Sequence, residues 1–183
     1  MYLTNAMSIE QQSERSTLMI SADDLWECTN MEEVINTIEE AFTAYQDGEA
    51  QMPAKSYVEL DEHNGDFRSM PAAVNDAAGV KWVNVHPDNP EKYGLPTVMG
   101  IVVYNDPETA YPLALLDGTT LTRLRTGAAA GVASRHLAPP DANSLGLLGA
   151  GQQAHAQLAA LSTVADIDRV VLPALDDDAI DQF

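Results

Sequence analysis

The sequence runs to 183 residues, 45% of them hydrophobic, with 28 acidic side chains against 9 basic and a formal net charge of −19. That length holds one full domain plus part of another, or one large domain, and the apolar content supports a packed core. A surface this negative repels nucleic acid and anionic membranes. No apolar run is long enough to span a bilayer as a helix, and the single cysteine, Cys28, excludes an internal disulfide and a cysteine-built zinc site.

The first residues, Met1–Arg15, are polar and lack a basic stretch followed by an apolar one, so a soluble, cytoplasmic protein is expected. The acids are scattered along the chain (Asp23, Asp24, Glu39, Glu40, Asp61, Asp166, Asp168 among them), and lysine is scarce. This pattern suits a protein kept soluble in high salt, where self-repulsion is screened, and predicts a halophilic cytoplasm.

Residues 1–17 read as a loose tail. Ser21-Ala22-Asp23-Asp24 starts a short helix toward Cys28, and Asn30 with Glu33 forms a capping-box-like start for a second. In that helix Val34, Ile35, Ile38, Ala41, Phe42 and Tyr45 recur at helical spacing and predict its buried face. From Ala54 to Asp117 the texture changes to short β-rich runs: Ser56–Leu60, Phe67–Ala72, Gly79–His86, Thr97–Tyr104 and Tyr111–Leu116. Turn residues divide them at Asn64-Gly65, Pro87–Pro90, Asn105–Pro107 and Asp117-Gly118, which predicts a mixed or antiparallel sheet. A helix of small residues follows over Thr126–Leu137, closed by Pro139-Pro140.

Ser144–Leu148 reads as an apolar strand, followed at once by Gly149-Ala150-Gly151-Gln152-Gln153-Ala154 and a helical run over His155–Val164. A strand, a glycine turn and a helix in this order cradle a dinucleotide pyrophosphate. Gly149 permits the tight turn, Gly151 lets the backbone approach the phosphates, and Ala154 allows close packing of the helix. The helix N-terminus, with Gln152 and Gln153 in its first turn, then faces the anion. A last strand is expected over Arg169–Leu172. An acid that grips the ribose 2′-hydroxyl belongs about 20 residues past the glycines. That place falls near Pro173 and Ala174, which are not acidic. Asp176 is nearest, but Asp176–Asp178 reads as the cap of a further helix, so NAD and NADP are not separated.

Basic residues are few enough for each to invite a question. Lys81 lies mid-strand among apolar neighbours. A lysine drawn into the interior loses pKa readily, which suits proton transfer or contact with a carboxylate. Strand alternation alone equally allows it to face solvent. Arg125 lies at the start of the small-residue helix and could hold a carboxylate through two parallel hydrogen bonds, with a surface ion pair as the alternative. Lys55 is a third candidate, with plain surface exposure its other reading. The histidines His63, His86, His136 and His155 make no metal-binding spacing.

Several stretches together resemble the ornithine cyclodeaminase/mu-crystallin family, which includes the archaeal-type alanine dehydrogenases. They are Gly79–Asn84 with Asn89-Pro90, Gly94–Thr97, Pro112–Gly118, Leu121–Ala130 and Gly149–Ala154, in the family's order, and the nearest likeness is haloarchaeal. The resemblance implies an α/β fold: a mixed-sheet substrate and dimerisation domain over 1–120, then the start of a Rossmann-type NAD(P)-binding domain over 121–183. It implies that Lys81 is the active-site lysine, that Arg125 binds the substrate carboxylate with Lys55 as a second partner, and that Gly149, Gly151, Gln152, Gln153 and Ala154 bind the cofactor, NAD or NADP. It also implies a homodimer acting on a small L-amino acid. The family's catalytic aspartate would fall beyond Phe183, so a truncated chain is expected. The implied activity is conversion of L-ornithine to L-proline and ammonia. The alternatives are oxidation of L-alanine to pyruvate and ammonia, or a non-catalytic binding protein or inactive fragment.

Overall fold

The computed structural model describes residues 16–173 together with Phe183. Of the expected tail over 1–17, residues 1–15 lie outside the described residues, as does the cap at Asp176–Asp178. The chain opens on β1 (Leu18–Ile20), a strand too short to leave a periodic signal. It runs parallel to β7 (Pro112–Asp117), and the Thr17 hydroxyl donates to the Pro112 carbonyl at 2.8 Å.

Helix α1 (Ala22–Cys28) starts on a reciprocal cap: Ser21 accepts from the Asp24 N–H, and Asp24 accepts from that of Ser21. Asn30 caps α2 (Met31–Gln46) by accepting from the Glu32 and Glu33 N–H groups. The expected apolar face of α2 is buried only in part. Ile35 is fully enclosed, but Phe42 and Tyr45 are 53% and 54% exposed. Phe42 lies on the side of Ile35 but about two turns farther on, where no partner helix covers it.

The main sheet holds β2 (Ala50–Gln51), β3 (Ser56–Leu60), β4 (Gly65–Val74), β5 (Ala77–Val85) and β6 (Val98–Asn105) besides β1 and β7. Its order is β1-β7-β6-β5-β4-β2, with β3 also lying along β4. Only β1 with β7 is parallel, so the sheet is mixed. Val74 pairs with Ala77 across the two-residue turn Asn75-Asp76, and Asn75 takes φ +52°. This turn is absent from the expected ones, although Asn is a residue that tolerates such a φ. Within the expected turn after His86, α3 (Asn89–Tyr93) forms and ends on Gly94 at φ +65°.

Helix α4 (Gly118–Leu137) corrects the sequence reading, which began it at Thr126. Asp117-Gly118 is not a turn between elements. The Asp117 carboxylate accepts from the Thr120 N–H at 2.6 Å and starts the helix there. Gly118 also seats the helix on the sheet, because a Cβ at that position would stand 2.7 Å from the Gly100 carbonyl carbon. Arg125 consequently sits inside the helix, two turns past its start.

Strands β8 (Ser144–Gly146) and β9 (Arg169–Val171) pair in parallel and flank α5 (Gln152–Val164) in the chain, the βαβ opening of a Rossmann-type domain. Ile35, Ala128, Val132 and Ala160 form a buried cluster joining α2, α4 and α5, with Met31, Val34, Ile38 and Val164 packed against it. Helix α4 therefore lies on the sheet by its first turns and joins the helical core by its later ones. Among the described residues no helix is long and apolar enough to cross a membrane.

Candidate active site

Alternation along β5 settles where Lys81 points. Val83, two residues on, is 6% exposed, whereas Trp82 between them is 40% exposed on the other face. Lys81 shares the face of Val83, toward α4, and its Nζ donates to Thr122 Oγ1 at 3.3 Å. Its cross-strand neighbours, Met70 on β4 and Val102 on β6, are apolar. Burial lowers the Lys81 pKa below its ordinary 10.5, and the charges of Arg125 and then Lys55 lower it further.

Arg125 lies three residues after Thr122, so one face of α4 carries both. Its side chain reaches solvent, while burial of the remainder lowers its pKa. Lys55 is exposed at the rim of the site, its Nζ 5.9 Å from the centre of the Tyr57 ring. Arg123 is half-buried.

The ion pairs among the described residues are Arg68–Asp66, Lys92–Asp88, Arg135–Glu39 and His136–Glu39. None of them involves Lys55, Lys81 or Arg125. Three of nine basic residues thus lie near one another with no ion pair of their own among the described residues, and the carboxylate whose charge Lys55 feels, Asp66, is bound by Arg68. Cations held together in this way repel one another and carry a desolvation cost, which an anion would relieve.

Arg68 is a neighbour that sequence reasoning missed. It is in register with Val83 on the Lys81 face, binds Asp66 through two hydrogen bonds of 2.7 and 2.8 Å, and lies 5.3 Å from the Tyr57 ring centre. The alternation of β4 could have placed it, but only once the register with β5 was known.

The glycine turn has the shape a dinucleotide requires. Gly149 takes φ +92°, a conformation that disfavours any side chain. Gly151 is the N-cap of α5, no side chain caps that helix, and a Cβ on Gly151 would meet no protein atom within 4 Å. The chain's own packing therefore does not demand glycine there, and the space in front of it is open to a ligand. A cavity of about 420 Å³ opens at the turn, lined by Leu147, Gly149, Gly151, Gln153, Ala154 and Gln157. Gln153 Oε1 is buried in that region without a hydrogen-bond partner, an acceptor that a ligand hydroxyl or amide would satisfy. Gln152 is exposed, Ala154 is half-buried, and the Ala154 N–H bonds the Gly151 carbonyl at 2.8 Å.

Helix α5 approaches α4 closely where Ala156 lies against Gly127. His155 is exposed and stacks on Phe183 at 4.3 Å. Beyond β9, Leu172 and Pro173 supply no acid, and Asp176 lies outside the described residues.

A cationic sheet face joined through one helix to a βαβ glycine turn defines an α/β protein with a mixed-sheet unit and the start of a Rossmann-type unit. Residues 15–183 match the model of the ornithine cyclodeaminase/mu-crystallin family, and the chain belongs to that family. It is 48% identical over 154 residues to the alanine dehydrogenase of Archaeoglobus fulgidus, an alignment that covers 84% of this chain and 47% of that enzyme. An archaeal alanine dehydrogenase dimer with bound NAD superposes with a TM-score of 0.85 at 45% identity, over 91% of this chain and 51% of that one. The Thermococcus litoralis Delta(1)-pyrroline-2-carboxylate reductase in complex with NADH and L-proline superposes with a TM-score of 0.86 at 39% identity, over 91% and 52%. The chain spans about half the length of the curated relatives it matches.

Proposed function

We propose that the protein is a NAD-dependent dehydrogenase of a small, neutral L-amino acid, of the alanine dehydrogenase kind: L-alanine, water and NAD give pyruvate, ammonia and NADH. The observation that carries this reading is the convergence of Lys81, Arg125 and Lys55, none of which forms an ion pair among the described residues. Arg125 holds the substrate carboxylate through a two-pronged contact. Lys81 Nζ binds the same end of the substrate and, with its lowered pKa, holds or releases a proton there. Lys55 adds positive charge at the rim. Gly149, Gly151 and the first turn of α5, with Gln152, Gln153 and Ala154, hold the dinucleotide. When bound it supplies the acceptor for hydride from the α-carbon. We assign NAD because the similar solved enzymes hold NAD and NADH. The substrate unit covers 1–120 and the nucleotide unit 121–183, with the junction in the first turn of α4.

This reading places the cyclodeaminase second. L-ornithine brings a distal ammonium, which meets three cations here, and the nearby carboxylate of Asp66 is already engaged by Arg68. Steady-state assay with NAD separates the two. The dehydrogenase gives pyruvate with equal NADH from L-alanine; proline from L-ornithine without net NADH would overturn it.

The sheet face opposite Lys81 supports a homodimer. Met19, Val58, Trp82 and Ile101 lie on it, 76%, 53%, 40% and 49% exposed. A second copy covering this face would bury them, and sedimentation of the protein against Trp82→Glu reads it directly.

A further inference from the structure

We propose that Thr122 is a positioning residue: its hydroxyl, anchored on the Gly118 carbonyl, holds the Lys81 ammonium at the mouth of the site beside Arg125. This deepens the assignment of Lys81 above and rests on it for its catalytic meaning. A threonine hydroxyl has one proton and two lone pairs. The Thr122 proton goes to the Gly118 carbonyl one turn back, at 2.6 Å. That bond is the ordinary habit of a helical threonine and by itself implies nothing. The second contact is different in kind. It comes from 41 residues away, on another element, and it is the one hydrogen bond Lys81 Nζ makes among the described residues.

The order of the bonds matters. With its proton committed, Thr122 Oγ1 can only accept, so it suits an amine or ammonium and cannot bind a substrate carboxylate. It therefore fixes Lys81 without competing for the anion. The charged groups that face Lys81 are Arg125 from α4 and Lys55 from the segment before β3, both repulsive. Met70 and Val102 on the flanking strands offer no acceptor. Thr122 is thus what opposes the push of the two cations.

The chain has three lysines, Lys55, Lys81 and Lys92, so each can be followed by peptide mass spectrometry after brief acetylation across a pH series. Thr122→Val removes the acceptor with little change of shape, and Thr122→Ser keeps it. Losing an acceptor to the charged form favours the neutral amine. The midpoint of the Lys81 labelling curve should then move to lower pH in Thr122→Val. Labelling below that midpoint should rise about threefold or more. Lys55 and Lys92 should stay in place, and Thr122→Ser should match the unaltered protein. A Lys81 curve unmoved by Thr122→Val, or moved equally by Thr122→Ser, would overturn the proposal. The labelling needs no substrate or cofactor, so its result stands apart from the alanine and ornithine assays.

Discussion

Gly127 of α4 lies directly against the Ala156 carbonyl of α5: a Cβ on the glycine would stand 2.4 Å from that oxygen and 2.7 Å from its carbon. Backbone, not a flexible side chain, fills the space, so a larger residue must push the helices apart. Gly127→Ala should cost about 1–3 kcal/mol, the usual penalty of overpacking. Chemical denaturation measures this. Because Arg125 is two residues away, carboxylate binding should weaken as well, and an unchanged denaturation midpoint would contradict the contact.

Gly151 offers the opposite case. A Cβ there meets nothing in the protein. Gly151→Ala should lower stability by about 1 kcal/mol or less, the scale of a changed helix cap. Dinucleotide affinity in isothermal titration should fall at least tenfold, or about 1.4 kcal/mol. Retained affinity would remove the turn from the binding site.

Lys81 makes stability depend on pH in a defined direction. Its folded pKa is lowered from 10.5 by burial, Arg125 and Lys55. Below the folded value both states carry the proton, and the folded state bears the full penalty of the charge. As pH rises from the folded value toward 10.5, the unfolded state holds more protons and stability increases. Lys81→Met should flatten that rise. It should also stabilise the protein at pH 7 by about 0.5–2 kcal/mol, as relief of a strained functional site does. Thermal melts across pH test both, and a pyruvate-dependent rise in melting temperature should vanish in the variant.

Glu39 acts at the acid end. It accepts from Arg135 and His136, tying α2 to α4, and the His136 and Arg135 bonds lower its pKa from 4.5. Its contribution is present above 4.5 and is lost as pH falls through the lowered folded value. Glu39→Gln should lose less stability over that acid window than the unaltered protein. Parallel acid melts should show a shallower slope.

Net charge gives a prediction about salt. At −19 the chain repels itself in dilute buffer, and screening shortens that repulsion to about 3 Å at 1 M salt. The melting temperature should climb by several degrees as potassium chloride rises from 0.1 to about 2 M. A protein most stable in dilute buffer would exclude adaptation to brine.

Much of this was legible because it rests on local chemistry. Gly149, Gly151 and the caps at Ser21 and Asn30 obey rules that span a few residues. So do the runs that became β3 to β7. What escaped depends on partners distant in sequence. β1 exists because β7 offers an edge, and the first two turns of α4 depend on Asp117 acting as a cap. Arg68 joins the Lys81 face only through strand register, and Thr122 meets Lys81 across two elements. The exposure of Phe42 and Tyr45 likewise reflects where neighbouring helices end, which periodicity within α2 does not encode.

Thr122, Arg125 and Gly127 occupy successive positions of one helix, within about 8 Å of axial rise. The lysine clasp, the guanidinium and the abutment for the nucleotide helix are therefore parts of one stiff rod. Any tilt of that helix would carry the contact to Lys81, the guanidinium and the seat of α5 together, so the two halves of the fold share one mechanical part.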